Sequence, residues 1–519
     1  MMKGKLFLTH DIGTSGCKST LFDMKLNPLF QSSESYPIYY PKPGWAEQEP
    51  DDFWNAVKTN TQTILNEYSF DSKDIVAIIF TCQMNCTIPI DEKGTPLMRC
   101  ISWLDTRASE LITRKMKGVI KYKGVGVRKI LFFKKHTGGG PGKNGKDPIS
   151  HYIWLKEYEP EIYNKTFKFL SVKDYIIFRC TNNAITSKDL ANTAWLKEPV
   201  TDEYSEKVLS LTELDIDKLP EIKKSTDIAG KLTPEAAKEL NLTPDIPIFV
   251  GSGDLTSVAI GSGGIKDKQI IICLGTADWV AAHIPKRKTD IPHYIGTINS
   301  AQNNYLYISK QETGAACFNW VVDQVFKDQV DKFKENKSDL YKHLDSIVEN
   351  AQAGAKNIIF IPWMFGERSP INNSEVRGGF INLSLDHTRE DLLRSVYEGI
   401  AFNLKWSLDP IEKKLGKCKK VNLVGGAANS DIWCQILADI LDRNVDKVKN
   451  PNLVGTKGAA IIAMVGLGII NTFSDAIPLI RIEKTFKPNP ENKDIYTKLF
   501  KEYEKFYKRN KNMFKNLNL

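Results

Sequence analysis

Segments that combine an acidic residue, glycine and small hydroxyl residues could carry phosphate chemistry in this 519-residue chain. The first is Asp11-Ile-Gly-Thr-Ser15, which follows an apolar, strand-like run. Glycine and hydroxyl residues let successive backbone N–H groups point at phosphate oxygens, and Asp11 can reach a magnesium ion through water. Phosphoryl transfer needs such donors, a divalent metal and a group that accepts the acceptor's proton. An ordinary glycine hairpin would have the same residues, so the motif alone leaves both interpretations open.

A carboxylate suited to proton acceptance ends the segment Phe249-Val-Gly-Ser-Gly-Asp254. The glycines beside Asp254 allow a substrate to approach closely, which suits a general base. The alternative is a helix N-cap before Leu255, and the pattern alone does not choose between the two.

Two further glycine turns follow apolar runs downstream. Gly275-Thr276 echoes Gly13-Thr14, since in both places one strand enters Gly-Thr and another leaves it, and this suggests a duplicated domain. Gly425 and Gly426 lie between a buried-looking strand and a helix. Such a turn favours a flat backbone surface for a nucleotide, although close packing would also explain it. The chain contains no GxxxxGK[ST] P-loop.

The elements that must position these motifs alternate short β-branched runs with amphipathic stretches, which is typical of an α/β protein. The predicted strands are Leu6–His10, Lys18–Asp23, Val76–Thr81, Ile248–Gly251, Ile270–Leu274, Tyr305–Ser309, Ile358–Pro362 and Val421–Val424. The predicted helices are Asp51–Glu67, Pro234–Leu240, Ala315–Phe326, Glu390–Asp409, Ser430–Leu441 and Gly455–Met464. The Thr388 to Asp391 spacing predicts a capping box, and an apolar stripe from Lys493 onward predicts a final helix packed on the body.

Length and composition favour a two-domain globular protein with a boundary near residues 254–264. The 71 Lys and Arg exceed the 62 Asp and Glu by 9, and this dispersed excess favours phosphorylated ligands and gives little support to nucleic-acid binding. The nine scattered cysteines form no CxxC pair, the N-terminus has no signal-peptide core, and the longest apolar run, 459–470, is too short to span a bilayer. We therefore expect a cytoplasmic protein with reduced thiols that binds no membrane.

Residues 116–146 interrupt the α/β rhythm because they are basic and rich in glycine. One interpretation is a mobile surface insertion, and the other is a flap that borders a substrate cleft.

Together the motifs resemble the FGGY carbohydrate kinases, which belong to the actin-like, ribonuclease-H-like ATPases. The matching segments, in chain order, are DIGTSGCK from Asp11, Trp103-Leu-Asp105-Thr-Arg107, Ser171-Val-Lys173-Asp174-Tyr175, Phe249–Asp254, Leu274-Gly-Thr276, Phe365–Pro370 with Glu398-Gly399, and Val424–Ser430. The resemblance implies an α/β fold of two duplicated domains around an interdomain cleft. The expected boundaries are 1–255, 256–485 and a helical tail over 486–519.

The resemblance also implies ATP and Mg²⁺ as ligands, with Asp254 as the catalytic base and Asp11 oriented toward the metal. The residues expected to bind ATP are Gly13, Thr14, Ser15, Lys18, Gly275, Thr276, Gly425, Gly426 and Asn429. The residues expected to bind sugar, besides Asp254, are Gln83, Met84, Asn85, Trp103, Asp105 and Arg107. Asp105 and Arg107 could instead form a surface ion pair, and Trp103 could be a core residue. Homodimers occur among such kinases, but nothing in this sequence indicates one.

Two residues depart from the xylulokinase pattern. Asn85 stands where the Gly-Gln-Met-His segment of xylulokinases has histidine, and Leu255 stands where asparagine follows the catalytic aspartate. Gln83-Met84 argues against glycerol, for which relatives carry Asn-Gln-Arg-Glu. We predict phosphorylation of xylulose or a related ketose to the 5-phosphate. The alternatives are ribulose, erythritol, a ketohexose, glycerol, or a non-catalytic actin-like ATP-binding protein; iron–sulfur activases of this fold need a cysteine pair that the chain lacks.

Overall fold

The computed structural model describes residues 5–67, 70–122 and 124–518. Its strands are β1 (Leu6–Ile12), β2 (Gly16–Phe22), β3 (Pro28–Ser35), β4 (Glu47–Gln48), β5 (Ile75–Cys82), β6 (Ile88–Ile90), β7 (Cys100–Ile101), β8 (Lys121–Tyr122), β9 (Val125–Gly126), β10 (Lys168–Leu170), β11 (Ile185–Ser187), β12 (Glu221–Lys223), β13 (Ile228–Lys231), β14 (Pro247–Gly253), β15 (Ile270–Cys273), β16 (Trp279–Ile284), β17 (Gly296–Asn299), β18 (Tyr305–Lys310), β19 (Ile359–Ile361), β20 (Gly379–Ile381), β21 (Lys420–Val424), β22 (Asn444–Val448) and β23 (Ile482–Phe486). Its α-helices are α1 (Pro50–Glu67), α2 (Ser109–Lys115), α3 (Val127–Thr137), α4 (Pro148–Tyr158), α5 (Pro160–Lys165), α6 (Val172–Thr181), α7 (Lys188–Thr193), α8 (Glu206–Thr212), α9 (Pro234–Leu240), α10 (Asp254–Gly261), α11 (Ala315–Val325), α12 (Lys327–Lys332), α13 (Lys337–Asn350), α14 (Arg389–Leu415), α15 (Asp431–Leu441), α16 (Val454–Gly466) and α17 (Lys493–Asn518).

The first of two compact units comprises Met1–Gly261, Ile298–Tyr305 and Leu453–Leu479. Its main sheet has the strand order β13-β14-β5-β1-β2-β3. Strands β14, β5 and β1 run parallel to one another, whereas β2 and β3 continue from β1 as an antiparallel meander. Helix α16 packs on β1, β5 and β14, and helix α1 packs on β2 and β3. The β-branched runs predicted as strands are therefore the buried centre of this sheet.

The second unit comprises Ser262–Thr297, Leu306–Asn452 and Ile480–Leu519. Its sheet contains the order β18-β16-β15-β21-β22-β23. As in the first unit, the opening strand pairs with an antiparallel hairpin partner on one side and with parallel strands on the other. The repeated order confirms the duplicated α/β architecture that the two Gly-Thr hairpins predicted.

Two helices of the second unit extend the sequence prediction. The capping box between Thr388 and Asp391 begins α14 as predicted, but this helix passes through Pro410 to Leu415 and does not end at Asp409. A proline removes one helical hydrogen bond, and here the buried Ile411 continues the apolar stripe beyond it. The final helix, α17, is also confirmed.

Helix α17 is fixed to the second unit by its apolar stripe and by polar contacts. The Tyr503 hydroxyl donates to Asn403 Oδ1 at 2.8 Å, and the Tyr496 hydroxyl donates to Glu398 Oε1 at 2.8 Å. Both tyrosines are buried. The tail is thus part of the packed body of its unit, as its sequence pattern predicted.

The basic, glycine-rich segment 116–146 is largely folded. It contains the β8–β9 hairpin and α3, neither of which its sequence pattern had predicted. Phe133 of α3 is buried in a hydrophobic cluster with Met116 and Trp154. A β-carbon on Gly139 would lie 2.3 Å from the Trp195 ring, so the glycine-rich stretch lies flat on this cluster. The segment is thus held by core contacts at both ends of α3.

All nine cysteines are free thiols. No helix in the described part of the chain is both long and apolar enough to cross a membrane.

Three histidines are buried in the two units as neutral groups. Burial lowers the pKa of His10 from 6.5 to about 3 and the pKa values of His151 and His283 to about 4. His10 Nδ1 lies 2.7 Å from the Ser19 hydroxyl, and His283 Nδ1 lies 2.6 Å from the Gly264 carbonyl oxygen. Each imidazole can satisfy one polar contact while uncharged.

The contribution of these three histidines to the free energy of unfolding is expected to fall as the pH drops below about 6.5. In that range the unfolded chain protonates these imidazoles first, so it binds more protons than the folded protein and gains stability relative to it. Each histidine contributes at most about 1.4 kcal/mol per pH unit. Urea unfolding between pH 7.5 and 5 measures the slope, and His10→Asn is expected to flatten it by about one proton. Equal slopes for the variant and the wild type would contradict the assignment of His10.

Candidate active site

The carboxyl ends of parallel strands bring the predicted residues of the first unit to one edge of its sheet. Asp11 of β1 is opposite Thr81 of β5, and Gly253 of β14 is opposite Cys82 of β5. Asp254, which follows Gly253, and Asp11 therefore lie on either side of the end of β5. Strands that flank a common neighbour are about 10 Å apart. The sheet thus places two carboxylates at a separation that leaves room for small groups between them.

Asp11 is a half-buried carboxylate with a cation beside it. The β1–β2 pairing places Lys18 directly opposite, and Lys18 itself is exposed. Burial raises the pKa of Asp11 to about 6, and the charge of Lys18 offsets part of that rise. Helix α16 approaches so closely that a β-carbon on Gly455 would lie 2.4 Å from Asp11 Oδ2.

The donor set at Asp11 fits a magnesium ion that keeps most of its ligands as water and phosphate oxygens. Mg²⁺ is commonly held by one or two protein carboxylates together with substrate phosphates. Over residues 5–67, 70–122 and 124–518, no group of three or more His, Cys, Asp or Glu side chains forms an all-protein metal site. A metal at this position would therefore depend on the nucleotide for its binding.

The turn Gly13–Ser15 has its carbonyl groups bonded into the protein. Gln48 Nε2 donates to the Thr14 carbonyl oxygen at 2.8 Å, and Trp103 Nε1 donates to the Thr14 hydroxyl at 2.9 Å. The Tyr36 hydroxyl donates to the Gly13 carbonyl oxygen at 2.6 Å, and Ser15 is exposed. The Gly13 N–H donates to the Gly16 carbonyl oxygen at 2.9 Å, so the N–H groups of Thr14 and Ser15 are the backbone donors of this turn that suit an anion.

The Gln83–Asn85 segment follows β5 between the two carboxylates. Gln83 Nε2 donates to Gln48 Oε1 at 2.7 Å, which joins this segment to the Gly13–Ser15 turn. A β-carbon on Gly253 would lie 2.7 Å from Met84 Cγ, so Met84 packs directly on the backbone before Asp254. Asn85 lies at φ +63°, and its Oδ1 is buried with no partner among the described residues. Asn85 Oδ1 is therefore an unused acceptor three residues beyond the end of β5.

Asp254 is half-buried at the first position of α10, immediately after β14. The Leu255 N–H donates to Asp254 Oδ1 at 2.7 Å. The strand before it is bulged, since Gly251 lies at φ +65° and a β-carbon there would lie 2.0 Å from the Phe80 carbonyl oxygen. Bulges re-aim the end of a strand, and only glycine fits this one. The position combines the two sequence interpretations, because Asp254 begins a helix and also stands at the strand end.

Asp105 and Arg107 form a buried ion pair, in which Arg107 Nη1 has no partner among the described residues. Arg107 Nε donates to Asp105 Oδ1 at 3.0 Å and Arg107 Nη2 to Oδ2 at 2.8 Å, while Asp105 Oδ2 also accepts the Ala46 N–H at 2.6 Å. Arg107 Nη2 donates in addition to Glu47 at 2.7 Å, and its guanidinium lies 3.6 Å from the Trp45 ring centroid. Neither side chain of the pair is exposed. This geometry favours an ion pair, in the interior of the unit, over direct contact with a sugar.

Trp103 lies between the Gly13–Ser15 turn and the basic segment 116–146. Besides its bond to Thr14, its ring centroid is 6.0 Å from Lys146 Nζ. Gly145 packs on the Ala108 backbone so closely that a β-carbon on Gly145 would lie 2.6 Å from the Ala108 carbonyl carbon. The end of the basic segment therefore lies beside Trp103.

In the second unit the Gly275-Thr276 turn closes on Asp278 and on the start of α11. The Gly275 N–H donates to Asp278 Oδ1 at 2.9 Å, and the Gly314 N–H donates to the Thr276 carbonyl oxygen at 3.0 Å. Thr276 is exposed. Asp278 is buried, its Oδ2 has no partner in the described residues, and burial holds its pKa well above the ordinary range of a carboxyl group. A neutral Asp278 would remove a negative charge from beside a turn expected to bind phosphate.

The Gly425–Asn429 turn lies beside the Gly275-Thr276 turn, because β21 and β15 are parallel neighbours. Gly425 has φ +98°, and a β-carbon there would lie 2.4 Å from the Leu274 carbonyl oxygen. Gly426 and Asn429 are exposed, and Asn429 Nδ2 donates to the Gly426 carbonyl oxygen at 3.0 Å. Close packing thus explains Gly425, while Gly426 and Asn429 form an open surface.

Sequence reasoning gave no role to three residues that organise these turns, namely Gln48, Asp189 and Asp278. The sequence around Gln48 contains no motif that would indicate its contact with Thr14, which lies 34 residues earlier in the chain. Asp189 follows Ser187 in a helix-start pattern, but its partners Gly253 and Thr256 lie more than 60 residues away. Asp278 stood in the quoted Gly-Thr hairpin, and its burial, which gives it its role, is visible only in the fold.

Family models match both units of the chain. The N-terminal domain model of the FGGY family of carbohydrate kinases matches residues 6–261, and the C-terminal domain model of the same family matches residues 270–467. The chain belongs to the FGGY family of carbohydrate kinases. It is therefore a sugar kinase with the two-domain, actin-like fold of that family.

Individual members of the FGGY family are similar over nearly the whole chain. A xylulose kinase from Staphylococcus epidermidis is 28% identical, with 99% of this chain and 98% of the relative covered. A gluconokinase from Bacillus licheniformis is 27% identical, with 94% and 93% covered. The crystal structure of ligand-bound xylulose kinase from Lactobacillus acidophilus superposes with a TM-score of 0.87 at 25% identity, with 99% of each chain covered.

Proposed function

We propose that this FGGY kinase transfers the γ-phosphate of ATP to the terminal hydroxyl of xylulose or a related ketose, giving the sugar 5-phosphate. The observation that carries this proposal is the placement of Asp11 and Asp254 at the carboxyl ends of the strands that flank β5. That separation admits a sugar hydroxyl beside one carboxylate and a metal-bound phosphate beside the other.

In this proposal Asp254 accepts the proton of the sugar hydroxyl while the hydroxyl oxygen attacks the γ-phosphorus, the bond from the γ-phosphorus to the bridging oxygen breaks, and ADP leaves. A carboxylate at a strand end beside glycine can reach a hydroxyl at hydrogen-bond distance. Asp11 would orient a bound metal, and the positive charge of its neighbour Lys18 lowers the pKa of Asp11, which keeps more of this carboxylate ionised near neutral pH. A bound Mg²⁺ would neutralise charge that develops on the phosphate oxygens.

The sugar would lie along the Gln83–Asn85 segment and Trp103. Gln83 Oε1 and Asn85 Oδ1 are both buried acceptors without partners among the described residues. Sugar hydroxyls that donate to them would offset the free-energy cost of burying an acceptor without a hydrogen bond. The rest of this segment is apolar, with Met84 on the backbone of Gly253. Direct contact of Asp105 and Arg107 with the sugar is not part of the proposal, because neither side chain is exposed, although Arg107 Nη1 has no partner among the described residues.

The glycine turns of each unit are the proposed nucleotide-binding residues. They are Gly13, Thr14 and Ser15, with Lys18, in the first unit, and Gly275 and Thr276 in the second. The exposed surface of Gly426 and Asn429 would receive the adenosine, with Gly425 keeping that turn close to β15. Asp278 already accepts the Gly275 N–H, so Thr276 is the better candidate for direct phosphate contact.

The proposal is tested by ADP release over a panel of acceptors. The panel contains xylulose, ribulose, fructose, erythritol and glycerol, together with gluconate, because xylulose kinases and gluconokinases both occur among the relatives. Turnover with a ketose at the lowest KM, and loss of that turnover in Asp254→Asn, is the expected result. Preference for gluconate or for a polyol would overturn the ketose assignment and leave the kinase chemistry in place.

Asn85→His is expected to shift acceptor preference toward xylulose by about tenfold or more in the ratio of kcat/KM values. The change introduces the histidine that xylulokinases carry, and histidine tolerates the left-handed backbone at this position. Asn241→His is the matched control, since Asn241 also has a positive φ, 56°, but lies exposed at the end of α9. The same shift in both variants, or none in Asn85→His, would contradict a role for Asn85 in selecting the sugar.

A further inference from the structure

Asp189 is a buried carboxylate of the first unit that touches the backbone on both sides of Asp254. It lies on α7 and is only 1% exposed. Its Oδ2 accepts the Gly253 N–H at 2.7 Å and the Thr256 hydroxyl at 2.8 Å. Gly253 is the residue before Asp254, and Thr256 is the second residue after it. One carboxylate oxygen therefore ties the end of β14 to the first turn of α10.

These bonds act where the regular sheet no longer controls the chain. The register of β14 with β5 is broken between Phe249 and Ser252 and ends at Gly253. A glycine at this point has little conformational preference of its own, so the direction of Asp254 depends on the groups that hold its backbone. Met84 blocks one side of Gly253 by packing, and Asp189 holds its N–H by a charge-assisted hydrogen bond, the stronger kind of bond to a backbone donor.

Asp189 has no freedom to react with a substrate. Its second oxygen accepts the Ser187 hydroxyl, so both oxygens are engaged inside the protein. Its burial also excludes a sugar or a phosphate from direct contact. Any effect of Asp189 on turnover must therefore act through the residues that it holds.

We infer that Asp189 is a positioning residue that fixes the backbone of Asp254 in the orientation needed for proton transfer. The inference rests on the proposed role of Asp254 as the base. A shift of the base by about 1 Å is enough to lower a rate about 100-fold. Binding of ATP should be untouched, because the ATP turns do not depend on the Asp189 bonds.

The test compares Asp189→Ala, Asp189→Asn and Thr256→Val in the full-length enzyme with its preferred acceptor from the panel. Asp189→Ala removes the acceptor of both bonds and is expected to lower kcat about 100-fold, with the KM for ATP changed less than about threefold. Asp189→Asn keeps an oxygen that can accept the Gly253 N–H, and is expected to recover most of that loss. Thr256→Val removes only the hydroxyl donor, and we expect it to lower kcat about three- to tenfold.

A double variant distinguishes positioning from general destabilisation. If Asp189 acts through Asp254, adding Asp189→Ala to Asp254→Asn should lower the residual kcat no further. Asp391→Asn is the control for loss of a buried helix-start carboxylate, since Asp391 has a similar place at the start of α14 in the second unit and should change the unfolding temperature without changing kcat.

The two ideas fail in different ways. Near-normal turnover of Asp254→Asn would overturn the proposed base and this inference with it. An inactive Asp254→Asn together with an Asp189→Ala variant of nearly wild-type kcat would overturn the inference alone, as would a further loss in the double variant. If Asp189→Ala does not fold, the other two variants provide the test. A kcat equal to that of the wild type in both Thr256→Val and Asp189→Asn would then overturn the positioning role of Asp189.

Discussion

Asp254→Asn is expected to lower kcat by about 10²- to 10⁴-fold, the usual contribution of a positioned general base. Asparagine keeps the size and the local hydrogen bond of Asp254 to the Leu255 N–H through its own oxygen, but it cannot accept the sugar proton. The KM for ATP should change little, since the glycine turns do not involve this side chain. The loss therefore falls on the chemical step.

Three measurements distinguish a loss of the chemical step in Asp254→Asn from weaker ATP binding or from misfolding. ADP release at saturating acceptor gives kcat, equilibrium titration gives ATP affinity, and thermal unfolding shows that the variant is folded. Leu255→Met, which changes the neighbouring side chain and leaves the carboxylate in place, is the matched control and should keep kcat within about threefold. Turnover of Asp254→Asn close to that of the wild type would mean that another group accepts the proton.

Asp11, the other carboxylate at this edge of the sheet, has a pH dependence of its own. Burial raises the pKa of Asp11 to about 6, so this group becomes protonated as the pH falls through that value. Its folded pKa lies above the ordinary value of 3.8, so the folded protein holds the proton more tightly and Asp11 disfavours folding increasingly as the pH rises from about 4 to 6. A carboxylate retained at this cost fits a functional group better than a structural one.

The sequence predicted most of the strands and turns of the two sheets, because the strands are runs of β-branched residues and the turns contain glycine. The placement of Asp11 and Asp254 followed from the same patterns, since both come at the ends of buried strands and parallel strands share one edge. What could not be predicted depends on long-range contacts. Gln48 reaches Thr14 and Gln83, and Asp189 reaches Gly253, only after folding brings these segments together.

The Asp105–Arg107 pair shows the limit of motif reasoning more directly. An Asp and an Arg spaced two residues apart can bind a polyol, or they can form an ion pair with each other, and the residue types are the same in both cases. In the structure the two side chains bond to each other, Trp45 packs on the guanidinium, and Glu47 and the Ala46 N–H are further partners. These contacts come from segments outside the motif, so the motif could not indicate them.

Asp105→Ala is accordingly expected to lower the free energy of unfolding by about 3–5 kcal/mol, the usual cost of removing one partner of a buried ion pair. Arg107 would keep Glu47 but lose both bonds to Asp105, and the Ala46 N–H would lose its acceptor. Chemical denaturation measures the effect. Glu49→Gln, which breaks the half-exposed pair of Glu49 with Arg99, is the control and should cost less than about 1 kcal/mol.

A second change separates stability from sugar binding at this pair. Replacing Arg107 by Met in the Asp105→Ala background removes the poorly compensated guanidinium, so it should recover part of the lost stability even though it deletes another charged residue. The KM for the sugar should stay within about threefold of the wild type in every variant that folds, because neither side chain of the pair is exposed. A large rise in that KM with little loss of stability would instead show that Asp105 and Arg107 open to hold the sugar, and that the closed pair is only the state without substrate.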